Sequence, residues 1–84
     1  MADIIMYTTG TCGYCFRAKE LLNKKQCHFT EVRVDLHPEL RQEMITKSGR
    51  HTVPQIFIND LPVGGCDDLY ALDNQGKLDQ LLQK

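Results

Sequence analysis

The chain has almost no net charge, no long apolar run and no stretch of biased composition, and each absence removes a class of function. Ten Lys and Arg against eleven Asp and Glu leave a formal charge of −1, so no positive field draws the chain to nucleic acid or to an anionic membrane. No apolar run approaches the roughly 20 residues of a spanning helix. The opening Met1-Ala2-Asp3-Ile4 lacks the basic-then-apolar layout of an export signal. A cytoplasmic protein with no nucleic-acid or membrane partner is the expectation. Repeats, linkers and low-complexity segments are missing too, so the 84 residues read as one domain, 1–84, with room for a single core.

What the chain does have is four cysteines, two of them in Cys12-Gly13-Tyr14-Cys15. In so short a chain four cysteines could be a disulfide scaffold. The apolar periodicity supports a core without staples, however, and a C-x-x-C beside a strand and a helix points to redox chemistry in a reducing compartment. A zinc site is the other use of a C-x-x-C. His28 lies at a zinc-finger distance past Cys15, but eight residues separate it from His37 where three to five are needed. No second C-x-x-C exists, and no intrachain metal site is expected.

The pattern around the motif predicts a strand at Asp3–Tyr7, a turn at Thr8–Thr11, and a helix through Phe16–Gln26 with both sulfurs on its first turn. On that helix Cys15, Ala18 and Leu22 share the inner face, while Arg17, Lys19, Glu20, Lys24 and Lys25 point mostly to water. His28–Asp35 alternates with period two, Val32 and Val34 opposite Glu31 and Arg33, as a second strand. Strand, helix, strand makes a parallel pair with a right-handed crossover. Pro38 opens a second helix with Leu40 and Met44 inward, and Gly49 stops it. Gln55–Asn59 and Leu61–Val63 form a hairpin about Asn59-Asp60, with Pro62 marking a sheet edge. A helix begins near Cys66–Asp68 and ends at Gly76, and Lys77–Gln83 adds a short terminal one. The order is β-α-β-α-β-β-α, an α/β fold.

Three places carry chemistry. At a helix N-terminus the unpartnered N–H groups and the macrodipole favour a thiolate, so Cys12 reads as the nucleophile. Cys15, three residues on and on the same side, is close enough to resolve its mixed disulfide. A low-pKa Cys12 is also a good leaving group when a second thiol attacks. Thr52-Val53-Pro54 precedes an apolar strand. The proline there is either a strand boundary or, more in keeping with the chain order, a cis residue that leaves the Val53 backbone free beside Cys12 to pair with an extended peptide. Gly64-Gly65-Cys66-Asp67-Asp68 is either an ordinary capped helix start or a seat for an α-amino-acid end group, with backbone N–H groups for a carboxylate and an aspartate for an ammonium. Cys66 and Cys27 read first as small buried fillers.

With these motifs in order, the sequence from Asp3 to about Leu82 resembles the dithiol glutaredoxins, and within them the small bacterial glutaredoxin 3 type. The resemblance rests on Tyr7-Thr8, Cys12-x-x-Cys15, Ser48-Gly49-Arg50, Thr52-Val53-Pro54-Gln55-Ile56-Phe57-Ile58 and Gly64-Gly65-Cys66-Asp67-Asp68-Leu69. It implies a thioredoxin-like fold, a four-stranded mixed sheet flanked by helices. It also implies glutathione as co-substrate and protein disulfides or glutathionylated proteins as substrates. By that resemblance Cys12 and Cys15 are catalytic and Tyr14 flanks the sulfur. Thr52, Val53 and cis Pro54 meet the tripeptide backbone, and Gly65, Cys66, Asp67 and Asp68 hold its γ-glutamyl end. Many relatives carry a lysine where this chain has Thr9, and Arg41 or Arg50 stands in for it. Many dithiol members have proline where this chain has Gly13. Glycine there resembles the monothiol branch, in which two chains share a [2Fe–2S] cluster through the equivalent of Cys12 and two glutathiones. The expected state is a monomer, dimeric only if such a cluster is bound. A third reading is a thioredoxin-like hydrogen donor served by a flavoprotein reductase; the Gly64–Asp68 stretch argues against it.

Overall fold

The structure, a computed structural model, describes residues 2–83. Its elements run β1(Ile4–Thr8), α1(Gly13–Lys24), β2(Thr30–Arg33), α2(Pro38–Ser48), β3(Gln55–Ile58), β4(Leu61–Gly64), α3(Cys66–Asn74) and α4(Lys77–Leu82). The sheet order is β2-β1-β3-β4. β1 and β2 are parallel, with Met6 opposite Glu31 and Thr8 opposite Arg33; β3 runs antiparallel to β1, and β4 to β3.

The sheet separates two apolar layers, because successive strand residues face opposite sides. Ile4, Met6, Ile56 and Ile58 pack with Ala18, Leu21 and Leu22 of α1 and with Cys66, Leu69 and Leu78 of α3 and α4. Tyr7 and Phe57, meeting edge to face with centroids 5.7 Å apart, pack with Val34 and with Met44 of α2. Leu22 is fully buried, and its truncation to alanine costs about 2–5 kcal/mol on the scale of such core deletions.

Several boundaries move from their expected places, each for a local reason. β1 extends to Thr8, which is wholly buried because its hydroxyl donates to Glu31 Oε2 at 2.6 Å; threonine was expected here as a turn residue. α1 begins at Gly13, with Cys12 as its cap, and stops at Lys24 rather than Gln26. Gln26 takes a left-handed φ of 60° and the Cys27 N–H reaches back to Leu22 O at 3.0 Å, a Schellman closure made without glycine. β2 is confined to Thr30–Arg33, short of His28–Asp35. α2 starts on Pro38 and ends on Gly49 at φ 74° as expected, and Asn59 and Asp60, both at positive φ, form the hairpin turn. Lys19 and Lys25 are not simply solvated: Lys19 pairs with Glu31, and Lys25 with Asp73 and Asp79.

Candidate active site

Cys12 sits where β1 hands over to α1, in an extended conformation that stops short of the helix. Its Sγ accepts the Cys15 N–H at 3.2 Å, so the sulfur satisfies one of the N–H groups that a helix start leaves free. On its other side it lies 3.6 Å from Val53 O, a contact in which the thiol donates. The loop behind it is tied down from β2 and the residues after it. The Gly10 N–H donates to Asp35 Oδ2 at 3.1 Å, and Arg33 grips the same carboxylate through Nε and Nη2 at 2.8 and 2.7 Å. That guanidinium holds Asp35 far below the usual carboxylate range.

Cys15 is only 1% exposed, beneath Cys12. Burial pushes its thiol up to about 12, and the neighbouring Cys12 sulfur adds to the rise, against the opposing influences of the Thr9 backbone and the Lys19 ammonium. The two cysteines thus differ in access: one partly exposed at the helix start, one held protonated under it.

Beside the pair runs an open groove of about 300 Å³ lined by Tyr14, Arg50, Thr52, Val53, Pro54, Gly65, Cys66, Asp67 and Asp68. Its first wall is the loop before β3. The buried Gln55 donates through Nε2 to Thr52 O at 3.0 Å and to Thr52 Oγ1 at 3.3 Å, and the Val53–Pro54 peptide is cis. The second wall is the start of α3. Gly64, at φ 111°, has no room for a Cβ against the Asp68 carboxylate, and a Cβ on Gly65 would stand 3.3 Å from Pro54 O; the two glycines let the walls come together. Asp68 accepts the Gly65 N–H at 2.9 Å and Arg50 Nη1 at 2.8 Å; those contacts hold its carboxyl below its ordinary range. The Cys66 and Asp67 N–H groups open the same helix.

The groove therefore brings together eight of the residues expected to bind a ligand. Arg41 is not among them: its Nη2 donates to His51 O at 3.1 Å, outside the groove. Arg50 lines the groove instead, delivered by a Ser48 hydroxyl that accepts the Arg50 N–H at 3.0 Å across left-handed Gly49. Gln55 and the Lys19–Glu31–Thr8 chain escaped the sequence reading. A buried polar residue opening an apolar strand is the one local sign of Gln55; nothing local marks the other. Cys66 is buried, and burial raises its thiol. Cys27 is half-buried at the far end of α1, with Lys25 O 3.6 Å from its sulfur. Among the described residues no helix is long and apolar enough to cross a membrane.

The glutaredoxin family model matches residues 4–63. The chain is 55% identical over 83 residues to glutaredoxin 3 of Escherichia coli K12, covering 99% of this chain and all of that one. The solution structure of a Brucella melitensis glutaredoxin, 57% identical, superposes with a TM-score of 0.86 over 98% of this chain and 89% of the other. A crystal structure of the buckwheat glutaredoxin–glutathione complex, 26% identical, superposes with a TM-score of 0.91 over 98% and 77%. The four-stranded mixed sheet with its helices is the thioredoxin-like fold of those structures.

Proposed function

The chain belongs to the glutaredoxin family, thiol–disulfide oxidoreductases, and from that premise we propose that it works with glutathione, through Cys12 as nucleophile and Cys15 as resolving thiol. The observation that carries the proposal is the contact of Cys12 Sγ with Val53 O, which sets the reactive sulfur at the edge of the groove. An extended tripeptide pairing its cysteine backbone with Val53, as an added strand does, brings its own sulfur to Cys12. Its γ-glutamyl carboxylate meets the N–H groups of Cys66 and Asp67 at the start of α3, its ammonium meets the Asp67 carboxylate, and Thr52, Pro54 and Gly65 line the path. Asp68 serves by holding Gly65 and Arg50. The exposed Tyr14 flanks the sulfur, and Arg50, in preference to Arg41, takes the glycine carboxylate.

In the one-cysteine route the Cys12 thiolate attacks the glutathionyl sulfur of a modified protein. The protein thiolate leaves with the electron pair and takes a proton, and a second glutathione attacks the Cys12 mixed disulfide, freeing Cys12 and yielding glutathione disulfide. In the two-cysteine route Cys12 attacks a protein disulfide and Cys15 attacks Cys12 Sγ. The second protein thiolate departs, and two glutathiones reduce the Cys12–Cys15 disulfide. Such a cycle belongs to a monomer in the reducing cytoplasm.

Gly13 puts neither a side chain nor a proline ring next to Cys12 in the chain. That absence favours a second reading, in which two chains hold a [2Fe–2S] cluster through Cys12 and two glutathiones, thiolates being ordinary ligands for such a cluster. Anaerobic reconstitution with iron, sulfide and glutathione gives a coloured dimer if this holds and a colourless monomer if it does not. The main proposal is tested by the preference for glutathione. The Cys12 mixed disulfide should be opened at least about tenfold faster by glutathione than by 2-mercaptoethanol at equal thiolate concentration, the groove adding roughly that much binding. Equal rates contradict it.

A further inference from the structure

On the two-cysteine route just proposed, on which the following rests, Cys15 has to act from beneath the surface. It must deliver a sulfur carrying negative charge to Cys12, yet it is buried, and its neighbouring charges are few. With Cys12 taken up in the neutral mixed disulfide, they are Lys19 one turn along α1 and, through Lys19, Glu31 with Arg33 beyond it on β2. Lys19 follows Cys15 by four positions, the spacing that puts two helix side chains next to each other. Its ammonium is held on the sheet side by Glu31. Glu31 in turn accepts the hydroxyl of wholly buried Thr8 at 2.6 Å, and it shares the α1-facing side of the sheet with its partner Met6. The ammonium and the hydroxyl together hold the Glu31 carboxyl below its ordinary range. A lysine with four rotatable bonds would otherwise extend into water; here Glu31 holds it against the sheet, on the helix face it shares with Cys15.

We propose that Lys19, anchored by Glu31 and Thr8, is a positioning residue that stabilises the negative charge on Cys15 Sγ during its attack on the mixed disulfide at Cys12, and so favours the two-cysteine route over the one-cysteine route. In that step Cys15 Sγ gives up its proton, which ends on the departing substrate thiolate or in water; the Cys15–Cys12 bond forms, the bond from Cys12 to the substrate sulfur breaks, and the substrate sulfur carries the electron pair away. Lys19 exchanges no proton. It supplies charge only.

The experiment follows both attacks with one equivalent of 5,5′-dithiobis(2-nitrobenzoate), which releases one coloured thiolate when Cys12 attacks it and a second when Cys15 closes the disulfide. Lys19→Gln should slow the second release about tenfold, the order expected for loss of one unit charge one helical turn from the sulfur, and leave the first within about twofold. Lys19→Glu should slow it further, and Lys19→Arg should restore it. A second release in Lys19→Gln equal to wild type, or a slow Lys19→Arg, overturns the assignment; if Lys19→Glu does not fold against Glu31, the Gln and Arg pair decides alone. The Cys15→Ser protein separates the premise from the inference. Should it give the second release at the wild-type rate, the two-cysteine route itself is wrong, whereas its loss together with an unaffected Lys19→Gln removes only the role of Lys19.

Discussion

The Sγ of Cys12 accepts the backbone N–H of Cys15 at 3.2 Å, so the proposed nucleophile doubles as the cap of α1. Replacement by serine keeps a capping atom and by alanine removes it. Both variants should be inactive, but Cys12→Ala should be less stable than Cys12→Ser by about 1 kcal/mol, the usual worth of an N-cap. Urea midpoints of the two variants check this; equal midpoints would mean that the sulfur contributes nothing to the helix.

Two buried groups hold their protons more firmly in the folded chain. Burial lifts Cys15 from 9.0 to about 12, and burial with the Glu43 carboxylate lifts Tyr7 from 10.0 to about 12. Between each pair of values the native state binds more protons than the unfolded state, so unfolding free energy falls as pH rises. The contribution of these groups is therefore complete below pH about 9 and is lost toward pH about 12, with a slope of at most about 1.4 kcal/mol per pH unit for each group. Denaturation series across that range should show a shallower decline for Cys15→Ala and for Tyr7→Phe than for wild type. Parallel curves would contradict the assignment of either proton.

Asp67 and Asp68 stand side by side and should separate cleanly in function. Asp67 is exposed at the groove with no partner among the described hydrogen bonds and ion pairs, whereas Asp68 binds Gly65 N and Arg50. Asp67→Ala should raise the KM for a glutathionylated substrate about fivefold to tenfold, the loss of a partly exposed charge contact, with the melting temperature unchanged. Asp68→Ala should cost about 1 kcal/mol of stability through the lost cap. Steady-state kinetics and thermal melts on both proteins decide it, and a stability loss in the first variant would show that Asp67 belongs to the scaffold.

Much of this was legible in the sequence because the informative contacts are local. Cys12 to Cys15 and Gly65 to Asp68 each span three residues, and the residue types announce the turn or cap they make; Thr52 to Gln55 is as short, yet only a polar residue opening an apolar strand marks it. Pro38, Gly49 and Asn59-Asp60 likewise mark ends that φ restrictions enforce. What stayed hidden depends on register between distant segments. Thr8 finds Glu31 only because β1 and β2 pair in parallel, Lys19 finds Glu31 across the crossover, and Arg50 rather than Arg41 reaches the groove because its partner Asp68 is eighteen residues away. The end of α1 is hidden for a related reason: Gln26 adopts the left-handed turn that glycine usually signals.

The central claim is that Cys12 alone carries out attack on a glutathionyl sulfur while Cys15 serves protein disulfides. A glutathione-coupled assay of a small glutathione mixed disulfide, run on wild type, Cys12→Ser and Cys15→Ser, tests it most directly. The account predicts no turnover above background for Cys12→Ser and turnover within about threefold of wild type for Cys15→Ser, since the resolving thiol takes no part in that route. Loss of turnover in both variants, or its survival in Cys12→Ser, would contradict it.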